Sequence, residues 1–504
     1  VVDLSTLFPD QFSGNSGDWT KVLEKELKLT DVGHKLSKNT LEGIFNILST
    51  EAHGQVIPNS SRWKKASQTY LTLTQDAELA VQADLDNGVR CFFLTKETES
   101  LKKLITRHVD AKDIEIVLLD NNSGMIDARE IVTGGGNHKQ ELAALTYKLI
   151  KWCESHPTEN KISLMISVDN HFFQSIAKIR AMREIAEKVF TTLNLKIELR
   201  VISSVNTREW TLLDRYTNML RNTSAVAAAL VGGADIIQSL GYMTPFELET
   251  NNLDPEHMVR SRRMSRNTTH ILSLESMLGM VEDAAAGSYH IETLTENYAK
   301  DSWELMQKIL PLAADELNNF WSETLTKIQN ERTAQFNHRK LVLSGINDFP
   351  NMNEKLEIKG EIKKVGFRLA RGFELLRQRI ENLKPSQKKN IRLIFWGDYA
   401  ALNARVNFVK NYFQLLGLTV LDAEKSIQDL TELKSWTDKG NKEELIVLCA
   451  KDEEYPELIQ NSALSKTGNY IAGKVEHTGF EAIYGGQDIY AVLSNLVSKL
   501  EALS

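Results

Sequence analysis

Four short stretches of this chain are apolar almost without interruption: VRCFFLT (89–95), IEIVLLD (114–120), KISLMISV (161–168) and IELRVISSV (197–205). Each is rich in β-branched or aromatic residues. A strand with one wet face alternates apolar and polar residues; a strand covered on both faces does not. These runs therefore predict the strands of a parallel sheet with helices packed against it. Helical periodicity between them, at His138 to Cys153 and at Ser175 to Leu193, supplies the covering layer. Repeated β–α units across 61–300 predict an α/β fold and favour a (β/α) barrel over an open sheet.

The same alternation returns near the end of the chain. Strands are predicted at 391–396, 418–422, 445–450, 469–473 and 481–484, with a final helix from Asp488 to Leu500. That density of strands reads as a small doubly wound, flavodoxin-like domain. From Ser288 to about Leu383 the pattern is mostly helical and charged. Residues 1–60 show one predicted helix, Trp19 to Leu29, with Trp19, Val22, Leu23 and Leu27 on one face. The remainder reads as an extended arm, ending near HGQVIPNSS, that should wrap another domain or another subunit. The resulting division is an arm for subunit contacts (1–60), a barrel (61–300), a helical connector (301–388) and a flavodoxin-type domain (389–504).

Composition narrows the function classes. A formal net charge of −7 argues against nucleic acid or an anionic membrane as partner. Cys91, Cys153 and Cys449 lie far apart with no CxxC spacing, as reduced thiols of a cytoplasmic protein would. Val1 to Gln11 carries no basic region followed by an apolar run, and no apolar stretch approaches the ~18 residues of a membrane span. A soluble, intracellular protein is expected.

Three places could carry chemistry. Asp169 and His171, in SVDNHFF, stand at the carboxyl end of a predicted strand, where barrels place catalytic groups. Their plainer reading is helix entry, with Asp169 or Asn170 as cap. TGGGNH (133–138) could offer backbone N–H groups to a phosphate, but it lacks GxGxxG spacing and the lysine–hydroxyl pair of a phosphate loop, so an ordinary loop is favoured. In VGGADIIQ (231–238), Gly232 and Gly233 read as a helix end leading into a strand. HExxH, CxxC and Gly-x-Ser-x-Gly are all absent from the sequence.

Taken together, SIAKIRAMREIAEKVF (175–190), LLDRYTNMLRNTSAVAAALVGGAD (212–235), MVRSRRMSRNTTHILSLES (258–276) and DAAAGSYHIETLT (283–295) resemble consecutive signatures of the methylmalonyl-CoA mutase family, in its order and spacing. SGINDFPN (344–351) and SGDWTKVLEKELK extend the resemblance over nearly the whole chain. It implies a (β/α)8 barrel that binds acyl-CoA, a helical connector, and a flavodoxin-like domain that binds adenosylcobalamin.

The departures from the family pattern carry the functional expectation. Catalytic subunits have Asp-x-His-x-x-Gly in the last domain, the histidine being the lower axial ligand of cobalt and the aspartate its orienting partner. Here that turn reads Asp398-Tyr399-Ala400-Ala401-Leu402-Asn403, with alanine in the histidine position, asparagine in the glycine position, and no histidine between His338 and His477. Of the family's cofactor-contacting glycines only Gly473, Gly485 and Gly486 have counterparts. Ile236 and Ile237 follow Gly232–Gly233 where the family has polar residues and a histidine, and the segments facing its radical centre are missing. Arg180, Arg183, Arg221, Asn222, Arg266 and Asn267 persist in helix signatures, where structural roles are expected.

The resemblance thus implies a non-catalytic small subunit of a heterodimeric methylmalonyl-CoA mutase, with no catalytic, cofactor-binding or metal-ligating residue of its own. The degenerate site is Asp398, Ala400 and Asn403. A large partner subunit would hold adenosylcobalamin and the acyl-CoA and interconvert (R)-methylmalonyl-CoA and succinyl-CoA. The barrel of this chain should be plugged by apolar side chains from 89–95, 114–120, 161–168 and 236–237. The alternatives are a divergent stand-alone acyl-CoA mutase and an acyl-CoA-binding scaffold without catalysis.

Overall fold

The structure, a computed structural model, describes residues 16–30, 38–40, 43–45, 64–67, 83–89, 91–94, 115–118, 125–250, 253–281, 283–356, 358, 360–421, 427, 429–433, 444–461, 469–475 and 480–503. The described residues fall into two compact units, one drawn from 1–206, 219–241 and 259–328, the other from 207–218, 242–258 and 329–504. The helix expected at Trp19 to Leu29 runs Ser16–Leu27, followed by an antiparallel pair, β1 (Lys38–Thr40) and β2 (Gly43–Phe45). Most of the proposed arm lies outside the described residues.

Seven strands form the sheet of the first unit: β3 (Lys64–Ser67), β4 (Cys91–Leu94), β5 (Glu115–Leu118), β6 (Met125–Asp127), β7 (Lys161–Val168), β8 (Glu198–Val205) and β9 (Ile236–Gln238). Their spatial order is β5-β4-β3-β9-β8-β7-β6 and every described pairing is parallel. Strands adjacent in sequence are neighbours in space, and the last strand, β9, returns to pair with the first, β3. The pairing of β5 with β6 is the one absent among the described residues. The apolar runs behave as their composition demands: β7 is buried from Ile162 through Val168, and β8 from Val201 through Val205. Cys91, Met165, Ile202 and Ile236 form one buried cluster, joined by Met125, so five strands contribute to a shared apolar face.

Helices His138–Ser155, Phe172–Thr192 and Tyr289–Ile309 pack on one another beside this sheet. A fully buried pair, Lys178 Nζ to Glu141 Oε2 at 2.8 Å, joins the first two helices. The other oxygen of Glu141 accepts the Ser167 N–H of β7 at 2.7 Å. Both carboxylate oxygens are therefore satisfied, which is what makes a buried ion pair tolerable.

In the second unit, β10 (Asn390–Phe395), β11 (Val420–Leu421), β12 (Glu444–Cys449), β13 (Tyr470–Ala472) and β14 (Glu481–Ile483) form a parallel sheet ordered β11-β10-β12-β13-β14. In local numbering that is 2-1-3-4-5, the flavodoxin-like order, whose ligand crevice opens where the first and third strands part. Ile394, Ile446, Leu448, Ile471 and Leu458 of helix Tyr455–Asn461 belong to one buried cluster of this unit. Between Asn337 and Arg371 the structure departs from the expected run of helix. Asn347 organises a turn there: its amide donates to Phe336 O and Leu341 O, and its oxygen accepts Leu343 N–H, all within 3.0 Å.

Candidate functional site

Parallel sheets gather their functional side chains where strands run out at their carboxyl ends, and polar clusters stand there in both units. In the first, Asp169 follows β7 directly. Its carboxylate accepts the backbone N–H of His171 at 3.1 Å, as a helix-entry residue does. It also meets the imidazole of His138, with Nε2 3.2 Å from Asp169 Oδ2. Tyr298 OH lies 3.4 Å from the other nitrogen of His138, and the Ser175 hydroxyl reaches Asp169 at 3.3 Å. Asp169, His138, Tyr298 and Ser175 are all buried. This cluster fastens three helix segments to the end of β7.

A second cluster spans β6, β8 and β9. The Arg129 guanidinium forks onto Asp127, with Nε at 3.0 Å and Nη2 at 2.7 Å, and donates from Nη1 to Ser204 Oγ at 3.2 Å. Ser204 in turn donates to Gln238 Oε1 at 2.7 Å. Arginine–carboxylate forks are strong and directional, so this one clamps three strand ends together. The cluster was not anticipated from the sequence. Asp127 ends a strand too short to show a period, and Ser204 and Gln238 sit inside runs that read simply as apolar. Polar residues at the last positions of such runs were the available signal.

The glycine segments are accounted for internally. Gly134, Gly135 and Gly136 donate their N–H groups to Glu130 O, Val132 O and Ile131 O at 2.8–2.9 Å. Those donors point into the chain and not toward a phosphate. A Cβ on Gly136 would stand 2.7 Å from both Ile131 O and its Cγ2, so close backbone approach requires glycine. Asn137 then caps the next helix: its side chain accepts Gln140 N–H at 3.0 Å while Gln140 Oε1 accepts the Asn137 N–H at 2.8 Å. Gly233, at φ +80°, closes the helix Thr217–Val231, and Ile236 and Ile237 are buried in β9.

The persistent arginines have structural partners. Arg180 is buried and bonds Asp283 at 2.9 Å, Glu292 at 3.0 Å and Thr295 Oγ1 at 3.0 Å. Burial works against its charge, but bonds to Asp283 and Glu292 prevail and raise its pKa. Arg183 reaches Gly233 O and Asp235, Arg266 pairs with Asp84, and Asn222 bonds Ser239 Oγ at 3.0 Å. Arg221 is buried, whereas Asn267 is exposed.

The turn after β10 is the second unit's candidate. Trp396 N–H donates to Cys449 O at 2.9 Å and Gly397 N–H to Ile427 O at 3.1 Å, so the strand end is stitched to its neighbours. Asp398 is exposed, the helix Tyr399–Gln414 begins at the next residue, and Ala400 is its second residue. Asn403 is exposed on that helix and accepts from Asn407 Nδ2 at 3.2 Å. Beyond it, Arg405 reaches across to Ala450 O and to Asp452 Oδ1, the latter at 2.8 Å. Tyr455 OH donates to Ala472 O at 2.6 Å and accepts Ala450 N–H at 3.1 Å. The chain's own side chains thus bridge the carboxyl ends of β12 and β13, beside the switch point. Among the described residues at these strand ends, two carboxylates, an amide and a guanidinium offer no imidazole nitrogen. The nearby thiol of Cys449 is buried and its pKa is pushed up to about 12 by that burial. Among the described residues, no group of three or more His, Cys, Asp or Glu could hold a metal ion, and no helix is long and apolar enough to cross a membrane.

The sequence model of the methylmalonyl-CoA mutase family matches residues 122–391, more than half of the 504. The chain belongs to the methylmalonyl-CoA mutase family. Within that family it is similar to proteins named as small subunits. A protein named probable methylmalonyl-CoA mutase small subunit in Mycobacterium bovis is 27% identical over 359 residues, covering 68% of this chain and 57% of the relative. The methylmalonyl-CoA mutase small subunit of Porphyromonas gingivalis is 26% identical (63% of this chain, 52% of the relative). That of Streptomyces virginiae is 27% identical (65% and 55%). The matched region spans little more than half the length of these mutase relatives.

Proposed function

We propose that this chain is the non-catalytic small subunit of a two-chain, adenosylcobalamin-dependent methylmalonyl-CoA mutase. A larger homologous subunit holds the cofactor and the acyl-CoA and interconverts (R)-methylmalonyl-CoA and succinyl-CoA. This chain stabilises it through a pseudo-two-fold interface. Residues 61–300 are its barrel, 301–388 a connector and 389–504 a degenerate cobalamin-type domain, preceded by an arm at 1–60. The consecutive strand order, with β9 returning to β3, supports closure of the first sheet, directly from β5 to β6 or through an eighth strand. The cluster of Cys91, Met165, Ile202 and Ile236 supports an interior filled by side chains.

One observation carries the proposal. The strand–turn–helix junction that the family uses for cobalt is kept at 390–414, while Ala400 occupies the ligand position and Arg405, Asp452 and Tyr455 bridge the adjacent strand ends. These residues do not fit axial ligation of a corrinoid. The test is an absorbance titration of the isolated chain with adenosylcobalamin. No binding at tens of micromolar is expected. Stoichiometric binding, with the spectrum of an imidazole-ligated corrinoid, would favour the divergent stand-alone mutase instead.

A further inference from the structure

The strand order β11-β10-β12-β13-β14 sends the connection after β10 to one side of the sheet and the connection after β12 to the other. That divergence is what opens a crevice between the carboxyl ends of two neighbouring strands. In this chain one side chain ties the diverging connections together again. Arg405 stands on the helix Tyr399–Gln414, which belongs to the first connection. Its Nη1 donates to Ala450 O and, at 2.8 Å, to Asp452 Oδ1, both of which belong to the second. A guanidinium presents its donors in a rigid plane, so such a tie fixes geometry as well as charge.

The acceptors are themselves held in place. Tyr455, fully buried, accepts Ala450 N–H at 3.1 Å and donates to Ala472 O at 2.6 Å, while Lys451 N–H bonds Glu454 Oε2 at 2.9 Å. The ion pair lies flat on the end of β13: a Cβ on Gly473 would collide with Asp452 Oδ1 and stand 3.2 Å from Arg405 Nη1. Asp452 is 45% exposed, so its share of the tie is weak, and the buried residue Ala450 supplies the firmer hold. A thiol lies on the covered side. Ile446, Leu448 and Ala450 share a cluster with Leu458 of the helix Tyr455–Asn461. Strand alternation therefore turns Cys449 to the opposite face, where the helix Tyr399–Gln414 packs on β12. Cys449 is fully buried and within the field of Arg405.

We infer that Arg405 is a strap that keeps the ligand crevice of the second unit closed. The inference rests on the small-subunit reading and adds to it a second barrier against the cofactor, one that a histidine at position 400 would leave in place. The test is labelling of the full chain by N-ethylmaleimide, with the rate at each cysteine followed by peptide mass spectrometry. Arg405→Ala should speed modification of Cys449 by about fivefold or more, since thiol reactivity follows access. Cys91 and Cys153, buried in the first unit, should keep their wild-type rates. Removing the guanidinium also withdraws a charge that favours the thiolate, so a faster rate reports access and not acidity. Arg379→Ala, which breaks an ion pair with Glu501 elsewhere in the same unit, controls for general loosening and should leave Cys449 protected. Should Arg405→Ala not fold, Arg405→Lys takes its place: a point charge without the planar fork holds the two connections less firmly, and Cys449 should still be labelled faster. A Cys449 rate within about twofold of wild type in the Arg405 variant, or equal acceleration by Arg379→Ala, overturns the strap. The measurement uses neither cobalamin nor a partner, so that result leaves the small-subunit reading standing; corrinoid binding by the wild-type chain is what overturns that reading.

Discussion

Individual side chains explain why the residues that this chain keeps from its family need not be catalytic. Arg180 is the clearest case, an arginine enclosed with two carboxylates and a threonine hydroxyl, with every partner on another segment of the same unit. Its value lies in neutralising charges that would otherwise be buried alone. Arg180→Met should therefore destabilise the protein by about 3–5 kcal/mol, the usual cost of removing one partner of a buried ion pair. Denaturant unfolding followed by far-UV circular dichroism measures it, and a loss under ~1 kcal/mol would mean that Asp283 and Glu292 find other partners. The structural role of Arg180 was legible because it sits inside a helical signature. The pairing of Asp169 with His138 was not, since the two residues lie 31 positions apart and nothing in a single sequence links a strand end to a distant helix start.

Among elements, legibility followed length and apolar character. The runs at 161–168 and 197–205 became β7 and β8 with their ends within a residue, because continuous burial leaves a continuous apolar record. The five C-terminal strands were also foreseen. β3, Lys64–Ser67, was not: four residues including two lysines show neither a period nor an apolar run. The glycine segment at 134–136 forms a tight turn between two helices, and its geometry yields a prediction at this scale. Gly136→Ala should cost about 1–3 kcal/mol, since its Cβ would meet Ile131 backbone as well as side chain. Gly485→Ala, where a Cβ meets nothing within 4 Å, should be near neutral. Paired thermal melts compare them, and equal shifts would show that the 134–136 turn is not the tight approach described.

For the molecule as a whole, the alternation of strands and helices read from the sequence survives in both units. Under the proposed small-subunit reading, the position that would hold cobalt is an alanine at the start of a helix. Strand counts and ring closure were harder to read, because they depend on pairings between segments that no local pattern encodes. The arm is a separate matter. Its described helix, Ser16–Leu27, exposes Val22 and Leu27, as a segment awaiting a partner would. Deleting residues 1–60 should abolish co-purification with the larger chain and leave the C-terminal domain folded, as judged by its own unfolding transition. Undiminished co-purification would assign the contact elsewhere.

The central claim is that catalysis and cofactor belong to a partner. Native mass spectrometry of the complex co-purified with the larger mutase-family chain, after reconstitution with adenosylcobalamin, tests it most directly. The account predicts one copy of each chain and a single cobalamin, which stays with the larger chain when the complex is dissociated in the gas phase. Two cobalamins per pair, or one that leaves with this chain, would contradict it.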